Sequence, residues 1–196
     1  MEDDYPGNRA PETVPAMFRR LAKEHPQKHA VAFKESPEGD VQFIKMGTND
    51  PKNKLRLQLS DDTWTKLTYP EYLQLVERVS RGLIALGLEE SHSVGVMANN
   101  CVEWTTASHA AIFAGGLICG IYQTSSPDIV SHLAKMSDMD ILVVENLAML
   151  KKAVGTRSSL KEALPSVKVC VMIEAPTKEL NDGKHCHCSK LLEKFS

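Results

Sequence analysis

The chain has no excess of charge of either sign: 23 lysines and arginines stand against 25 aspartates and glutamates, a net charge of −2. That balance gives no electrostatic footprint for nucleic acid and no broad basic face for anionic lipid. The opening MEDDYPGNRAPET is acidic and has no apolar core. Neither a secretory signal nor an Arg-rich transit peptide is read there. One apolar stretch without a formal charge, Thr105 to Tyr122, is broken by Gly115-Gly116 and Gly120 and contains His109. It reads as a buried helix, a turn and a buried strand, not as a membrane span.

Signatures for phosphate are also missing. There is no G-x-x-x-x-G-K-[ST] loop and no G-x-G-x-x-G turn. Gly115, Gly116 and Gly120 come nearest, but they lead into a strand, where no helix end offers amides to an anion. A G-x-S-x-G nucleophile elbow is absent as well. Cysteines are few and odd in number: Cys101, Cys119, Cys170, Cys186 and Cys188. The first three lie in or beside apolar runs, as buried free thiols of a reducing compartment do. His185-Cys186-His187-Cys188 has the residue types of a zinc or copper site. Structural zinc ligands are usually spaced by two or more residues, and adjacent side chains of an extended segment point apart. The tract is read as an exposed, oxidation-prone loop, with metal binding as the alternative, and no metal site is assigned.

What is present is ordinary globular composition, 42% hydrophobic and 24% charged, enough for one large domain or two small ones. Residues 1–12 read as a flexible arm. Thr13 to His25 has Val14, Met17, Phe18 and Leu21 at helical spacing, with Pro26 as a stop. His29 to Phe33 and Val41 to Met46 read as short strands, and Gly47 to Lys54 as a loop. Leu55, Leu57 and Leu59 alternate, as does Thr63 to Leu67. A hairpin between these two, turned at Ser60-Asp61-Asp62, is expected.

Thr68 and Glu71 have capping-box spacing. Behind them Tyr72, Leu75, Val76, Val79, Leu83 and Leu86 form one stripe that Gly87 ends. Then comes an alternation. Val94 to Ala98 is a strand, and Asn100 with Glu103 is expected to cap a helix running to about Ala114. Leu117 to Tyr122 is a strand, and Ser125-Ser126-Pro127-Asp128 opens a helix. Ile141 to Val144 is a strand, Leu147 to Leu164 is mostly helical, and Val167 to Ile173 is a strand. The pattern predicts an α/β fold with a mostly parallel sheet and helices on both faces, preceded by short strands.

One loop invites a ligand. At Tyr122 to Ser126 a buried strand gives way to hydroxyl-bearing residues, the place where open α/β sheets hold ligands. Tyr122, Thr124 and Ser125 are the substrate-binding candidates; a plain turn and helix cap is the alternative. Trp64 and Trp104 read as packing residues before pocket residues. Lys151-Lys152 with Arg157 and Lys161 reads as a solvated helix face. His25, His29, His92, His109 and His132 carry no partner visible in sequence.

Three segments together resemble a known family. They are WTKLTYPEY, RGLIALGLEESHSVGVMANNCVEW and, most specific, FAGGLICGIYQTSSP. In that order, with ETVPAMFRRLAKEHPQKHAVAF upstream, they resemble the N-terminal portion of the acyl-adenylate-forming synthetases. The GIYQTSSP form is similar to the long-chain fatty acyl-CoA synthetases of the bubblegum type. The resemblance runs from about Glu12 to Val144 and more weakly to Ile173. It implies an incomplete N-terminal domain of an AMP-dependent synthetase over residues 13–175 and a variable tail over 176–196.

It also implies a chemistry for the whole family: MgATP converts a fatty acid to an acyl-adenylate, and coenzyme A then displaces AMP. The family's Y-T-S-G-T-T-G-x-P-K-G loop does not occur here; Gly155-Thr156-Arg157-Ser158-Ser159 is a faint echo of it. No catalytic residue is therefore carried over, and this chain by itself is expected to bind neither ATP, Mg2+ nor coenzyme A and to be inactive. A cytoplasmic location, peripheral at the endoplasmic reticulum or other membranes, is a further implication. The alternatives are a non-catalytic interaction module derived from the same fold and a small nucleotide- or flavin-binding α/β domain.

Overall fold

The computed structural model describes residues 10–33, 42–44, 56–58 and 64–174. The expected arm over residues 1–12 lies almost wholly outside them, as do the tail over 176–196 with its His185–Cys188 tract and the loop over 47–54. Helix α1 (Val14–Glu24) starts at Thr13, whose hydroxyl accepts from the Ala16 N–H at 3.3 Å. Strands β1 (His29–Phe33), β2 (Gln42–Ile44), β3 (Arg56–Gln58) and β4 (Thr65–Thr68) follow.

The hairpin expected between the third and fourth of these does not form. β4 pairs antiparallel with β1, and β3 pairs with β2. Burial selects the more distant partner: Ala30, Val31 and Leu67 pack against the core under α1 and α2. A local turn at residues 60–62 would forfeit that apolar contact.

Helix α2 (Tyr69–Ala85) carries the predicted capping box, with the Glu71 carboxylate accepting from the Thr68 N–H at 2.7 Å. That N–H, then the Thr68 hydroxyl, hold the Glu71 carboxyl below the usual carboxylate range. Gly87 adopts φ 94°, the left-handed conformation that ends the helix. The alternating half comprises β5 (Ser93–Met97), α3 (Val102–Phe113), β6 (Leu117–Gly120), α4 (Pro127–Met136), β7 (Met139–Val144), α5 (Leu147–Val154), α6 (Leu160–Ala163) and β8 (Val169–Met172).

One local expectation is corrected, and a second, the mostly helical run from Leu147 to Leu164, holds in two pieces. Helix α3 is capped by Cys101, whose sulfur accepts from the Trp104 N–H at 3.4 Å, not by Asn100 with Glu103. The preceding Asn99 is held by Glu145, and Cys101 is the extended residue that enters the helix. The long helical run after Leu147 is broken by Gly155, and a new cap at Ser159 starts α6.

β5 to β8 form one parallel sheet in the order β6-β5-β7-β8. Successive residues alternate between its faces. Val94, Val96, Ile141, Val143 and Val171 join Phe18, Tyr72, Val76, Val79, Leu83 and the alanines of α3 in one core. Met97, Met139, Leu142, Val144, Cys170 and Met172 join Val130, Ala134, Ala153 and Leu164 in the other. Helices thus cover both faces, which is why β5 and β7 are buried at every position. Among the described residues no helix is long and apolar enough to cross a membrane.

Candidate functional site

In this order the chain steps from β5 to one side at β6, then returns to the other side at β7. The crevice at the carboxyl ends of β5 and β7 is therefore the topological switch point, where open α/β sheets take ligands. Three polar residues come to it, each just past a strand. Asn99 follows β5, Gln123 follows β6 and Glu145 follows β7. The half-buried Glu145 carboxylate accepts from the Asn99 N–H at 2.6 Å, the Asn99 side-chain amide at 3.2 Å and the Gln123 amide at 2.7 Å. Its backbone is anchored too: its N–H donates to Met97 at 3.1 Å, and its carbonyl accepts from Glu174 at 2.8 Å. The Lys152 ammonium donates to the Gln123 carbonyl.

Chemically this carboxylate is occupied. Three N–H donors share its oxygens, so it is arranged to fix the exits of β5 and β6 and not to relay protons. Helices α3, α4 and α5 also begin at this edge, and their amino ends favour a negative group there. Glu145→Ala is expected to lower stability by about 1–2 kcal/mol, since hydrogen bonds to a charged group are worth more than neutral ones and this one is half-exposed. Urea unfolding measures the loss, and faster amide exchange over residues 121–126 would show that the loop itself is loosened.

The sequence-predicted candidates border this edge. Tyr122 is 82% exposed and Ser125 only 8%, and Thr124 is exposed. Ser125 donates its N–H to the Tyr122 carbonyl at 3.0 Å. The cap of α4 is Ser126, whose hydroxyl accepts from the Ile129 N–H at 3.4 Å. Trp104 is half-buried against the core beside Gly120. Sequence reasoning passed over Asn99, Gln123 and Glu145. The signal was a polar residue within three positions of the end of each of these parallel strands, where the strands release their chain to solvent.

The Gly155–Ser159 segment is the connection between α5 and α6. Its Ser158 N–H donates to Glu162 at 2.9 Å, as does the Ser158 hydroxyl, and Arg157 pairs with Asp128 at 2.9 Å. Its donors are thus spent within the chain. Lys151 and Lys152 are exposed, as a solvated face requires. Cys101 is half-buried; burial, with the Glu103 charge adding to it, pushes its thiol up to about 11, so it is not a nucleophile near neutrality.

A second charged cluster closes the opposite edge of the sheet. The Asp140 carboxylate, almost fully buried, accepts from the Glu89 N–H at 2.9 Å. It also meets Lys168 Nζ at 2.9 Å and His92 Nδ1 at 3.2 Å. Lys168 further donates to the Gly87 carbonyl at 3.0 Å. Burial alone would raise the Asp140 carboxyl, but the Glu89 N–H, Lys168 and His92 together hold it below its ordinary value.

Comparison with known proteins agrees with this architecture. The model of the AMP-binding enzyme family matches residues 18–190. The chain is 27% identical over 172 residues to long-chain-fatty-acid–CoA ligase heimdall of Drosophila melanogaster, covering 88% of this chain and 22% of that protein. It is 36% identical over 118 residues to long-chain-fatty-acid–CoA ligase ACSBG2 of Xenopus laevis, covering 60% and 15%. The chain thus matches 15–22% of the length of these relatives, in their N-terminal portion.

Among solved structures, coronafacic acid ligase from Pectobacterium brasiliense superposes with a TM-score of 0.62 at 12% identity, over 92% of this chain and 29% of that one. Mycobacterium tuberculosis fatty acyl CoA synthetase gives 0.57 at 17% identity, over 81% and 26%. At these identities the likeness is one of fold. A family match across most of the chain, over a doubly covered parallel sheet of this order, leads to one conclusion: the chain belongs to the AMP-binding enzyme family.

Proposed function

We propose that this chain supplies the N-terminal part of a long-chain fatty acid–CoA ligase and has no ligase activity by itself. The observation that carries the reading is the 36% identity to a long-chain ligase over 118 residues, set on a parallel sheet of the family's fold. On this reading residues 13–175 are an incomplete N-terminal domain, 1–12 an arm and 176–196 a variable tail. The reaction of the whole enzyme joins a fatty acid to coenzyme A at the expense of ATP with Mg2+. Its place is the cytoplasm, peripheral at the endoplasmic reticulum or another membrane. Tyr122, Thr124 and Ser125 are the residues proposed to border substrate.

The residues at the switch point do not suit a triphosphate. The crevice already holds the Glu145 carboxylate, and Lys152 is turned onto the Gln123 carbonyl. Phosphate chemistry is therefore not assigned to these residues, and their part is to frame the domain. A chimera tests this, with these residues replacing the matching segment of the Xenopus laevis ligase. Long-chain acyl-CoA formation by the chimera is expected, with no fatty-acid-dependent ATP–pyrophosphate exchange by the chain alone. A folded, monodisperse chimera without activity would overturn the reading, as would exchange by the isolated chain. The second reading, an interaction module, gains if the chain alone melts cooperatively and captures a full-length ligase.

A further inference from the structure

Helix α1 docks on the domain around one buried side chain. Phe18 is the only α1 residue that is buried. Its ring lies 4.9 Å from that of His109, 5.8 Å from Phe113 and 5.9 Å from Tyr72. His109, from α3, is half-buried beneath it, and its Nδ1 is 2.9 Å from the Tyr72 hydroxyl of α2. The three helices α1, α2 and α3 thus meet on an imidazole. Around this joint, α1 adds Val14 and Met17, which are only partly buried, and the exposed Arg19–Glu77 pair at 3.3 Å.

We propose that His109 is a proton-operated latch, and that its protonation releases α1 from the α2–α3 groove while the parallel sheet stays folded. The geometry sets the consequence of a proton. In the neutral tautomer with its proton on Nε2 the ring accepts the Tyr72 hydroxyl at Nδ1; the protonated ring offers N–H there instead, and the hydroxyl must turn. The facing groups do not compensate the charge. From α1 come the Phe18 ring and the Arg19 guanidinium, which lies 5.7 Å over Phe113 and is itself cationic. From α2 come Tyr72, whose hydroxyl burial keeps protonated to about 12, and Glu77, engaged by Arg19. From α3 itself comes the Thr105 backbone, which favours the charged ring. Among the described residues no carboxylate forms an ion pair with His109. Burial outweighs the Thr105 contribution and holds the imidazole below its ordinary value.

The sign follows. A docked α1 binds no proton at His109 where an undocked one does, so docking is complete above the ordinary histidine range near ~6.5 and weakens as pH falls below it. Undocking also hydrates the ring. This inference is independent of the ligase reading.

Amide hydrogen exchange on the full chain, corrected for intrinsic rates, tests it at pH 7.5 and 5.5. Protection over Val14–Glu24 is expected to fall at the lower pH by up to about tenfold, the most one site with an ordinary value near ~6.5 can give one unit below it, while β7 keeps its protection. In His109→Gln, protection of α1 is expected to be the same at both pH values. If that variant does not fold, His109→Phe, which keeps an aromatic ring against Phe18, takes its place. Three results would overturn the latch. They are α1 protection unchanged in the parent chain, a parallel loss in α1 and β7, or a pH-dependent loss that persists without the imidazole.

Discussion

Asp140→Ala is expected to destabilise the domain by about 2–4 kcal/mol. The upper figure is what breaking a buried ion pair costs, and the discount reflects partners that remain about a third exposed. The carboxylate joins pieces of chain far apart in sequence: the turn after α2 through Glu89, the entry to β5 through His92 and the entry to β8 through Lys168. Its own carbonyl accepts the Lys168 N–H at 2.7 Å. Removing it leaves the buried end of the Glu89 turn with an N–H that has lost its acceptor, and leaves Lys168 only the Glu89 carboxylate and the Gly87 carbonyl.

The pH dependence has a defined sign. The folded-state value of Asp140 is depressed, so its stabilisation is present above the unfolded value near ~3.9 and is lost as pH falls through the folded one. Urea unfolding of the parent chain and of Asp140→Asn is expected to differ by a constant amount from pH 7 to 5. The gap is expected to narrow below about pH 4. A gap that does not change down to pH 3 would mean that the carboxylate acts by shape and not by charge.

Much of this fold is written locally. Thr68 with Glu71 and Ser126 before Pro127 mark their helix starts as the sequence predicts, because a cap needs only one side chain and the next turn of backbone. The buried strands β5 and β7 are legible as short apolar runs for the same reason: each is fully covered by its own neighbours in the alternation. What the sequence hides is pairing and polar convergence. Pairing of β4 with β1 instead of β3 depends on which strand lies beneath α1, a fact of packing and not of turn chemistry.

Polar convergence is hidden in the same way. Glu145 gains its meaning from Asn99 and Gln123, 46 and 22 residues away. His92 and His109 have no sequence partner because Asp140 and Tyr72 reach them only after the sheet and helices are stacked. The cap at Cys101 shows the reverse limit. Asn100 is the better capping residue by type, but Asn99, pinned on Glu145, sets where the helix begins.

Gly155→Ala is expected to cost about 2–4 kcal/mol, and to do so through two separate effects. The first is conformational. Gly155 ends α5 at φ 67° and ψ −133°, a region that L residues enter with strain of about 1–3 kcal/mol. The second is steric. A methyl group there would lie 2.8 Å from Cγ and 2.9 Å from Cβ of Pro127. A proline ring cannot swing aside as a flexible side chain does, so the first turn of α4 must shift, and overpacking of this kind costs about 1–3 kcal/mol.

The shift has a place to be seen, because Pro127 follows the Ser126 cap and precedes Asp128, the partner of Arg157. Thermal and urea unfolding measure the total. Pairing Gly155→Ala with Pro127→Gly, which removes both contacting atoms, separates the parts. Removing the ring and its Cβ should recover the steric share and leave the strain, so the double variant is expected to lie between the parent and Gly155→Ala after allowance for Pro127→Gly alone. If the two changes are simply additive, the contact with Pro127 contributes nothing, and the glycine is required by its backbone angle alone. In either case Gly155 serves to turn the chain between α5 and α6. Its likeness to the glycine of a phosphate loop is then one of residue type, since the hydrogen-bond donors around it are already directed at Glu162 and Asp128.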